Sequence, residues 1–414
     1  MAQSQPSAKA LKAKVNAESG CVMRSGQFTL ESGETKPLAK SEKEDDSDDL
    51  VLPFSVELGG AIPLSDGPFA DGFAVAALRS SKTGNQAVVG LLPNGMTGGQ
   101  VIDLGAVHGD APAPRLASAG RDLLAVVPEA DASGRSLRVA LVQLAQGAGK
   151  VTFGESVHDG DDESQDFDLG TVGSQALLAW DDWNKAQNHG EVKIARFATT
   201  ALTALGEPQV VSSARTDAES PRVASDANGF WVGWAVNDPS PTKKAGRADG
   251  GADPIAQAGL RGVELLRLDA QAQPLGSPRR ITPPGSKVQE FDLAVNAKGN
   301  AVVAWRSGDA ALGDDDGPIG VIEVAASGTE ERLEIGQIEG AGAPVLLIDP
   351  GAGTPSPGMP SARTPSAGSN RSSLGFLAIS DPGEPAILLP LSASGQPAKQ
   401  ALRGQLGNAT PAAL

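Results

Sequence analysis

From residue 51 onward the chain alternates between short apolar runs and breaks rich in glycine, proline, aspartate and asparagine. The runs have the length of strands and almost no 3.6-residue period, so they predict β-structure rather than helices. Residues 1–50 lack this pattern and end in the charged run Lys40 to Asp49. Such a segment buries too little apolar surface to offset its ordering entropy. We therefore expect a disordered polar arm at 1–50, one folded domain at 51–405 and a flexible tail at 406–414.

The apolar runs form an internal repeat of strand, tight turn and strand. Clear copies span 113–126, 164–180, 219–234 and 289–305, and weaker ones span 61–78 and 344–379. The aligned last position of the second strand is occupied by Leu78, Val126, Trp180, Trp234, Trp305 and Ile379. These positions recur roughly every 50 residues once insertions at 237–260 and 349–373 are set aside, a period typical of propeller blades.

Each strand pair is followed by a second pair, such as Glu191 to Phe197 and then Glu207 to Val211. Four strands per unit are the content of a blade, and the second strands are apolar on both faces, as strands packed between two neighbouring blades must be. We predict an all-β fold, a six-bladed β-propeller with four-stranded antiparallel blades, with seven blades as the alternative. Because rings avoid open edges, we also predict that the lone strand Phe54 to Leu58 completes the last blade.

The repeated unit Pro-x-hydrophobic-Ala, a glycine turn and apolar-apolar-Ala-Trp resembles the blades of bacterial secreted and surface β-propeller proteins. The resemblance covers residues 51–405. It implies an extracytoplasmic protein, in the periplasm, at the surface or secreted. Residues 1–20 contain no apolar leader, so a cytoplasmic location is the alternative. Propellers serve as enzymes, binders and scaffolds, so the resemblance carries little information about activity.

Composition narrows the classes of function. The formal net charge is −16, which disfavours nucleic acid as a partner because the chain repels phosphate. No apolar run is long enough to cross a bilayer. The turn from Asp226 to Gly229, before Trp231, is similar to turns of sialidase-type propellers. That resemblance would imply a tyrosine nucleophile, and the chain contains no tyrosine.

A recognition site is predicted where the second strand of the third unit ends. Trp183 lies three residues beyond the repeated Trp180, beside Asp181 and Asp182. A tryptophan next to carboxylates suits stacking on a sugar or contact with a cationic group, while packing between blades is the competing interpretation. Similar strand exits carry further acids, Asp238 and Asp309. We expect one face of the ring to be lined with these acids and to bind a protein or glycan, with the propeller acting as a monomer.

Two acidic clusters are candidate calcium sites. They consist of Asp159, Asp161 and Asp162 in one loop and Asp314, Asp315 and Asp316 in another. Calcium prefers several oxygen ligands from such loops. Neither cluster follows the EF-hand pattern; in the first, Ser164 occupies the position of the EF-hand glycine. The alternative is that both clusters are solvated acidic turns. No other cofactor is expected.

The single cysteine, Cys21, follows Ser19 and Gly20. This triplet resembles the end of a bacterial lipobox, in which the cysteine carries lipid. No hydrophobic run precedes it, so Cys21 is either a lipid attachment site or an ordinary unpaired cysteine in the arm.

From these features we expect a non-enzymatic binding or scaffold propeller. The alternatives are a carboxylate-dependent glycan hydrolase or lyase and a lipid-anchored surface spacer. The central channel of the propeller distinguishes the scaffold hypothesis from the enzyme hypothesis. An enzyme should converge two acids with perturbed pKa and an arginine or metal at one place, whereas a scaffold should have a plain channel.

Overall fold

The computed structural model describes residues 54–64, 72–81, 84–92, 99–107, 111–131, 134–144, 149–158, 166–214, 216–237, 261–296, 298–308, 318–328, 330–337, 344–347, 375–379, 387–391 and 402–403. These residues form six four-stranded antiparallel sheets, and no helix occurs among them. The predicted six-bladed propeller is confirmed. The predicted arm and tail lie outside the described residues, as do both insertions except Asn237, which ends a strand.

The sheets follow one another along the chain. The first three contain β1 (Phe54–Leu64), β2 (Gly72–Ser81), β3 (Gly84–Leu92), β4 (Gln100–Val107); β5 (Arg115–Ala119), β6 (Asp122–Asp131), β7 (Gly134–Gln143), β8 (Lys150–His158); and β9 (Phe167–Val172), β10 (Gln175–Asn184), β11 (His189–Ala198), β12 (Gln209–Val210). The last three contain β13 (Asp217–Asp226), β14 (Gly229–Asn237), β15 (Arg261–Asp269), β16 (Arg279–Arg280); β17 (Val288–Val295), β18 (Ala301–Ser307), β19 (Pro318–Val324), β20 (Glu330–Gln337); and β21 (Pro344–Leu347), β22 (Gly375–Ile379), β23 (Ile387–Leu391), β24 (Leu402–Arg403). Within each sheet, neighbours in space are neighbours in sequence.

The hydrophobic core lies between the blades. Second strands are buried along most of their length, as in β14, because each is sandwiched between two sheets. Trp180 and Trp234 are almost inaccessible to solvent. Trp180 packs with Leu124 and Val139 of the second blade, and Trp234 packs with Leu177 of the third, so each repeated tryptophan seals the gap to the preceding blade.

The register corrects one position of the sequence alignment. Val126 lies opposite Arg115, and Val126 packs with the third blade rather than the first. The next residue, Val127, packs with the first blade and is therefore the structural counterpart of the repeated tryptophans. Successive side chains of a strand point to opposite faces, so a shift of one residue reverses the neighbour that each contacts.

The predicted closure is wrong. Phe54 to Leu58 pairs with residues 77–81 of β2, inside the first sheet. The last sheet draws all four strands from residues 344–403. Each blade is thus made from one continuous segment. Pairing between strands joined by a short hairpin costs less loop-closure entropy than pairing between the two ends of the chain.

First strands surround the axis, since those of successive blades contact one another from β1 to β21. Fourth strands form the rim and are short in the third and fourth blades. We call the upper face the face at which first strands begin; because the sheets are antiparallel, second strands end there too. Among the described residues, no helix is long and apolar enough to cross a membrane.

Candidate active site in the central channel

Four charged residues occupy one position of the first strands around the axis. They are Arg115, Asp168, Arg222 and Asp292, in the second, third, fourth and fifth blades. Each lies opposite the residue that precedes Val127, Trp180, Trp234 or Trp305 in its second strand. Their signs alternate around the ring. We call these four residues the axial ring.

Strand alternation explains how charged side chains are accommodated at the centre. The residue that follows each ring residue is apolar and buried between blades, as Leu169 and Leu293 are. The ring residues themselves are half-buried and alternate with these apolar ones, and Asp168, Arg222 and Asp292 contact the blade that follows their own. The first strands therefore place charged residues and buried apolar residues on opposite faces.

The two aspartates reach across to the next blade. Asp168 Oδ2 accepts the backbone N–H of Val223 at 2.7 Å, and Asp292 Oδ2 accepts that of Leu346 at 2.7 Å. Each contact joins a blade to its successor at the same level of the axis. These bonds fix the carboxylates in place and satisfy backbone donors of strands that have no sheet partner on that side.

The two arginines are also anchored. Arg115 Nη1 donates to the carbonyl of Gly59 in the first blade at 2.5 Å. Arg222 Nη1 donates to the carbonyl of Pro221 at 2.9 Å, and its guanidinium lies 5.8 Å from the ring centroid of Phe291 in the fifth blade. Both guanidinium groups are planar donors with several further N–H groups, which suits them to binding a carboxylate.

The charges of the ring residues contribute to the pKa values of Asp292 and Arg115. Desolvation raises the pKa of Asp292; the backbone N–H of Leu346 and the charge of Arg222 oppose the rise, and the charge of Asp168 adds to it. Desolvation likewise lowers the pKa of Arg115, against the charges of Asp168 and Asp292. Arg115 remains charged, because arginine starts from a very high pKa. Asp292 and Arg115, on opposite blades of the ring, are thus close enough to interact across the axis.

This arrangement places two chemically different carboxyl groups in one channel. Asp292 has a raised pKa, so it retains its proton to higher pH than an ordinary aspartate. Asp168 interacts with Arg115 and with Asp292. A proton donor, a second carboxylate and two cations are therefore assembled in one place, which is the combination used for general acid and base catalysis.

The repeat contained the signal that identifies this site. The four clear copies read Pro-Arg-Leu-Ala, Phe-Asp-Leu-Gly, Pro-Arg-Val-Ala and Phe-Asp-Leu-Ala. A charged residue recurs there between apolar ones, in a strand that is otherwise buried. The repeated unit Pro-x-hydrophobic-Ala leaves this position open, and the ring was not predicted from it.

The recognition site predicted at the end of β10 is arranged differently from expectation. Asp181 and Asp182 are buried, at 4% and 5% exposure, and only Trp183 presents its side chain to solvent, at 38%. Asp181 accepts two backbone N–H groups, and Asp182 forms an ion pair with Lys193. The two carboxylates are engaged within the protein, while Trp183 lies exposed at the upper face.

The remaining predicted site residues lie outside the described residues. They are Asp238, Asp309, Asp159, Asp161, Asp162, Asp314, Asp315, Asp316 and Cys21. An acid-lined face and a calcium site therefore stay predictions. The described strand ends nearest to these residues are His158, Asn237 and Ser307, and all three lie at the upper face. Within the described part of the chain, no group of three or more potential metal ligands occurs.

No protein-family model matches this chain, and neither does any curated protein sequence. Among solved structures, the chain is similar to the Hadza microbial sialidase Hz136, with 16% identity, a TM-score of 0.40 and coverage of 66% of this chain and 55% of that one. It is similar to the N11 neuraminidase-like protein of A/flat-faced bat/Peru/033/2010 (H18N11), with 8% identity, a TM-score of 0.43 and coverage of 85% and 95%. It is also similar to prolyl oligopeptidase B from Galerina marginata, with 10% identity, a TM-score of 0.41 and coverage of 84% and 42%. The chain thus spans about half the length of the sialidase.

The expectation of a non-enzymatic binding or scaffold propeller is wrong. That reading required a plain channel, and the channel instead holds two aspartates and two arginines, with the pKa of Asp292 raised. The structures that match are named for a sialidase, a neuraminidase-like protein and a peptidase, and at these TM-scores their names add no weight of their own.

Proposed function

We propose that the protein is a carboxylate-dependent glycan hydrolase or lyase whose reaction takes place at the axial ring. The observation that carries the proposal is the convergence of Asp168 and Asp292 with Arg115 and Arg222 in one channel. Cleavage of a glycosidic bond by either route needs a proton donor and a second carboxylate. The ring supplies both from fixed positions on rigid strands.

Asp292 acts as the general acid. Desolvation raises its pKa, so the carboxyl group retains a proton that it can donate to the oxygen of the leaving sugar. The hydrogen bond from Leu346 holds the group in one orientation. After the bond breaks, the negative charge on Asp292 is stabilised by Arg222, whose charge already lowers the carboxyl pKa.

Asp168 acts as the second carboxylate. In hydrolysis it faces the anomeric carbon, either bonding to it directly or taking a proton from the water that attacks it. In a lyase reaction it removes the proton next to a sugar carboxylate, and the leaving oxygen receives the proton of Asp292. The charge of Arg115 interacts with that of Asp168. Since the chain contains no tyrosine, a phenol cannot replace Asp168 in this role.

Trp183 forms an outer sugar subsite in this scheme. Its side chain is exposed at the upper face, where β10 ends and the first strands carrying the ring begin. An indole face stacks well on a sugar ring. A role in glycan cleavage also fits the extracytoplasmic location implied by the resemblance to secreted and surface propellers.

The test is a screen of the purified protein against a panel of neutral and uronate-containing polysaccharides. New reducing ends reveal hydrolysis, and ultraviolet absorbance of an unsaturated sugar reveals lyase cleavage. We expect Asp292→Asn and Asp168→Asn each to lower the rate by about 10²- to 10⁴-fold on the substrate so found. Asp226→Asn is the control, because Asp226 is a half-buried aspartate bonded to Arg267 and lies at the far end of β13. Full activity in both ring variants would refute the assignment.

A further inference from the structure

Asp181 lies in the second strand of the third blade, yet its side chain binds the first strands of two blades. Oδ1 accepts the backbone N–H of Asp166 at 2.9 Å, and Oδ2 accepts the backbone N–H of Ser220 at 3.0 Å. The backbone of Asp181 also donates to the carbonyl of Asp166 at 3.1 Å. The carboxylate is buried, at 4% exposure. One side chain therefore connects the third blade to the fourth at the upper end of the channel.

Both backbone N–H groups belong to residues that lie shortly before a residue of the axial ring. Asp166 lies two residues before Asp168, and Ser220 lies two residues before Arg222. Asp181 thus fixes the approach of two neighbouring first strands at the same distance from their charged residues. Hydrogen bonds between a carboxylate and backbone N–H groups are among the stronger ones in proteins, more so when buried.

The bond to Ser220 holds an irregular part of β13. Glu219 lies opposite Ala235 and Arg222 opposite Gly233, so β13 contains one extra residue at this point. Ser220 has a φ of 54°, in the left-handed region that serine rarely adopts. An extra residue reverses which side chains lie on each face of the strand, so the bulge decides that Arg222 lies on the face toward Phe291 of the fifth blade. The arrangement persists only where surrounding contacts maintain it, and Asp181 supplies the bond from the adjacent blade.

Arg261 supports the same bulge from within the fourth blade. Its guanidinium lies 2.9 Å from Glu219 Oε1 and 3.4 Å from Ser220 Oγ, and it donates to the carbonyl of Gln289 in the fifth blade at 2.7 Å. The bulge is therefore fixed on two sides. Of these two supports, the one from Asp181 also binds the residue two positions before Asp168.

We propose that Asp181 is a positioning residue that sets Asp168 and Arg222 relative to each other at the axis. Its consequence for catalysis rests on the proposed function, whereas the positioning itself can be measured without a substrate. Loss of one acceptor from Asp181 releases the bulge and moves the guanidinium of Arg222 away from Asp292. The matched control is again Asp226→Asn, since Asp226 is an aspartate of β13, the strand that contains the bulge, and has its own partner in Arg267.

The experiment is a carbon NMR titration of full-length protein labelled at aspartate carboxyl carbons, with the Asp292 signal assigned through Asp292→Asn. We expect Asp181→Asn to raise the pKa of Asp292 above its value in the wild type, because the opposing charge of Arg222 is displaced. We expect Asp226→Asn to leave it unchanged. A titration of Asp292 that is identical in wild type and Asp181→Asn, or that moves equally in both variants, would overturn the proposal.

Should Asp181→Asn fail to fold, Asp181→Glu takes its place with the same measurement, because it keeps the charge and shifts both oxygens. On a substrate from the polysaccharide screen, Asp181→Asn should lower kcat about 10- to 100-fold, the effect of a small misplacement of reacting groups. A screen without any substrate would refute the proposed function alone, while the titration would still decide the role of Asp181.

Discussion

Trp231 and Trp234 are buried three residues apart on β14, yet their indole nitrogens have different surroundings. Trp231 Nε1 donates to the carbonyl of Gly299 in the fifth blade at 3.1 Å, and Arg267 lies 5.1 Å from its ring centroid. Trp234 Nε1 is buried and has no hydrogen-bond partner within the part of the chain that the structure describes. The indole N–H of Trp231 therefore links two blades, whereas burial of the indole N–H of Trp234 is energetically unfavourable.

Replacement by phenylalanine should separate the two roles. Trp231→Phe loses a hydrogen bond between blades, whereas Trp234→Phe removes an unsatisfied N–H at the expense of a small cavity. We expect Trp231→Phe to lower the free energy of unfolding by about 1–2 kcal/mol more than Trp234→Phe. Urea denaturation of both variants measures the difference, and equal losses would show that the Gly299 contact contributes nothing.

The raised pKa of Asp292 also predicts a dependence of stability on pH. The folded protein retains a proton that the unfolded chain releases near pH 4, the ordinary range of aspartate. The contribution of protonated Asp292 is complete below that pH and is lost as the pH rises through the folded value. The wild type should therefore lose stability relative to Asp292→Asn over this range. Thermal melts of both proteins from about pH 4 to about pH 8 test this, and a constant difference in Tm would contradict it.

At the scale of elements, glycines allow neighbouring blades to approach closely. A Cβ on Gly190 of β11 would lie 2.6 Å from the carbonyl oxygen of Ala218 and 3.1 Å from Asp217 Oδ1, both in the fourth blade. The backbone N–H of Gly190 donates to that same Asp217 oxygen at 2.7 Å. A side chain at this position would force β11 and β13 apart.

We expect Gly190→Ala to destabilise the protein by about 1–3 kcal/mol, the usual cost of overpacking against backbone. Gly276 is the control, since a Cβ there would meet nothing within 4 Å. Gly276→Ala should change stability by less than about 0.5 kcal/mol. Chemical denaturation compares the two, and similar values for both would show that the contact between blades yields without cost.

Sequence patterns predicted the elements well but not their irregularities. The repeated tryptophans and uniformly apolar second strands identified the blades, because burial on two sides leaves a strong compositional signal. The bulge at Ser220 leaves no such signal, since it depends on Asp181, which is 39 residues away in sequence. The axial ring did leave a signal, the charged residue at one position of the four clear copies, but the sequence does not show that these residues meet. A single charged residue in a strand becomes a site only when four blades bring such residues to one axis.

At the scale of the whole molecule, one junction of the ring brings together two blades that are not consecutive in the chain, the first and the last. Described hydrogen bonds join successive blades, such as Arg115 to Gly59, Asp168 to Val223 and Asp292 to Leu346. The first and last blades, like every other pair of blades, share no sheet, because each of the six blades is a sheet of its own. The chain ends are therefore not fastened by a common set of strand hydrogen bonds, as closure through Phe54 to Leu58 would have required.

This topology predicts the order in which the propeller opens. The fourth blade packs against the blades that precede and follow it in the chain, whereas the first and sixth blades each have one such neighbour and otherwise meet at the junction between the chain ends. Native-state hydrogen exchange should therefore show faster exchange of amides in β2 and β22 than in β14, since local opening begins where the fewest contacts must break. Protection in β2 and β22 equal to that in β14 would show that the junction is as strong as the others.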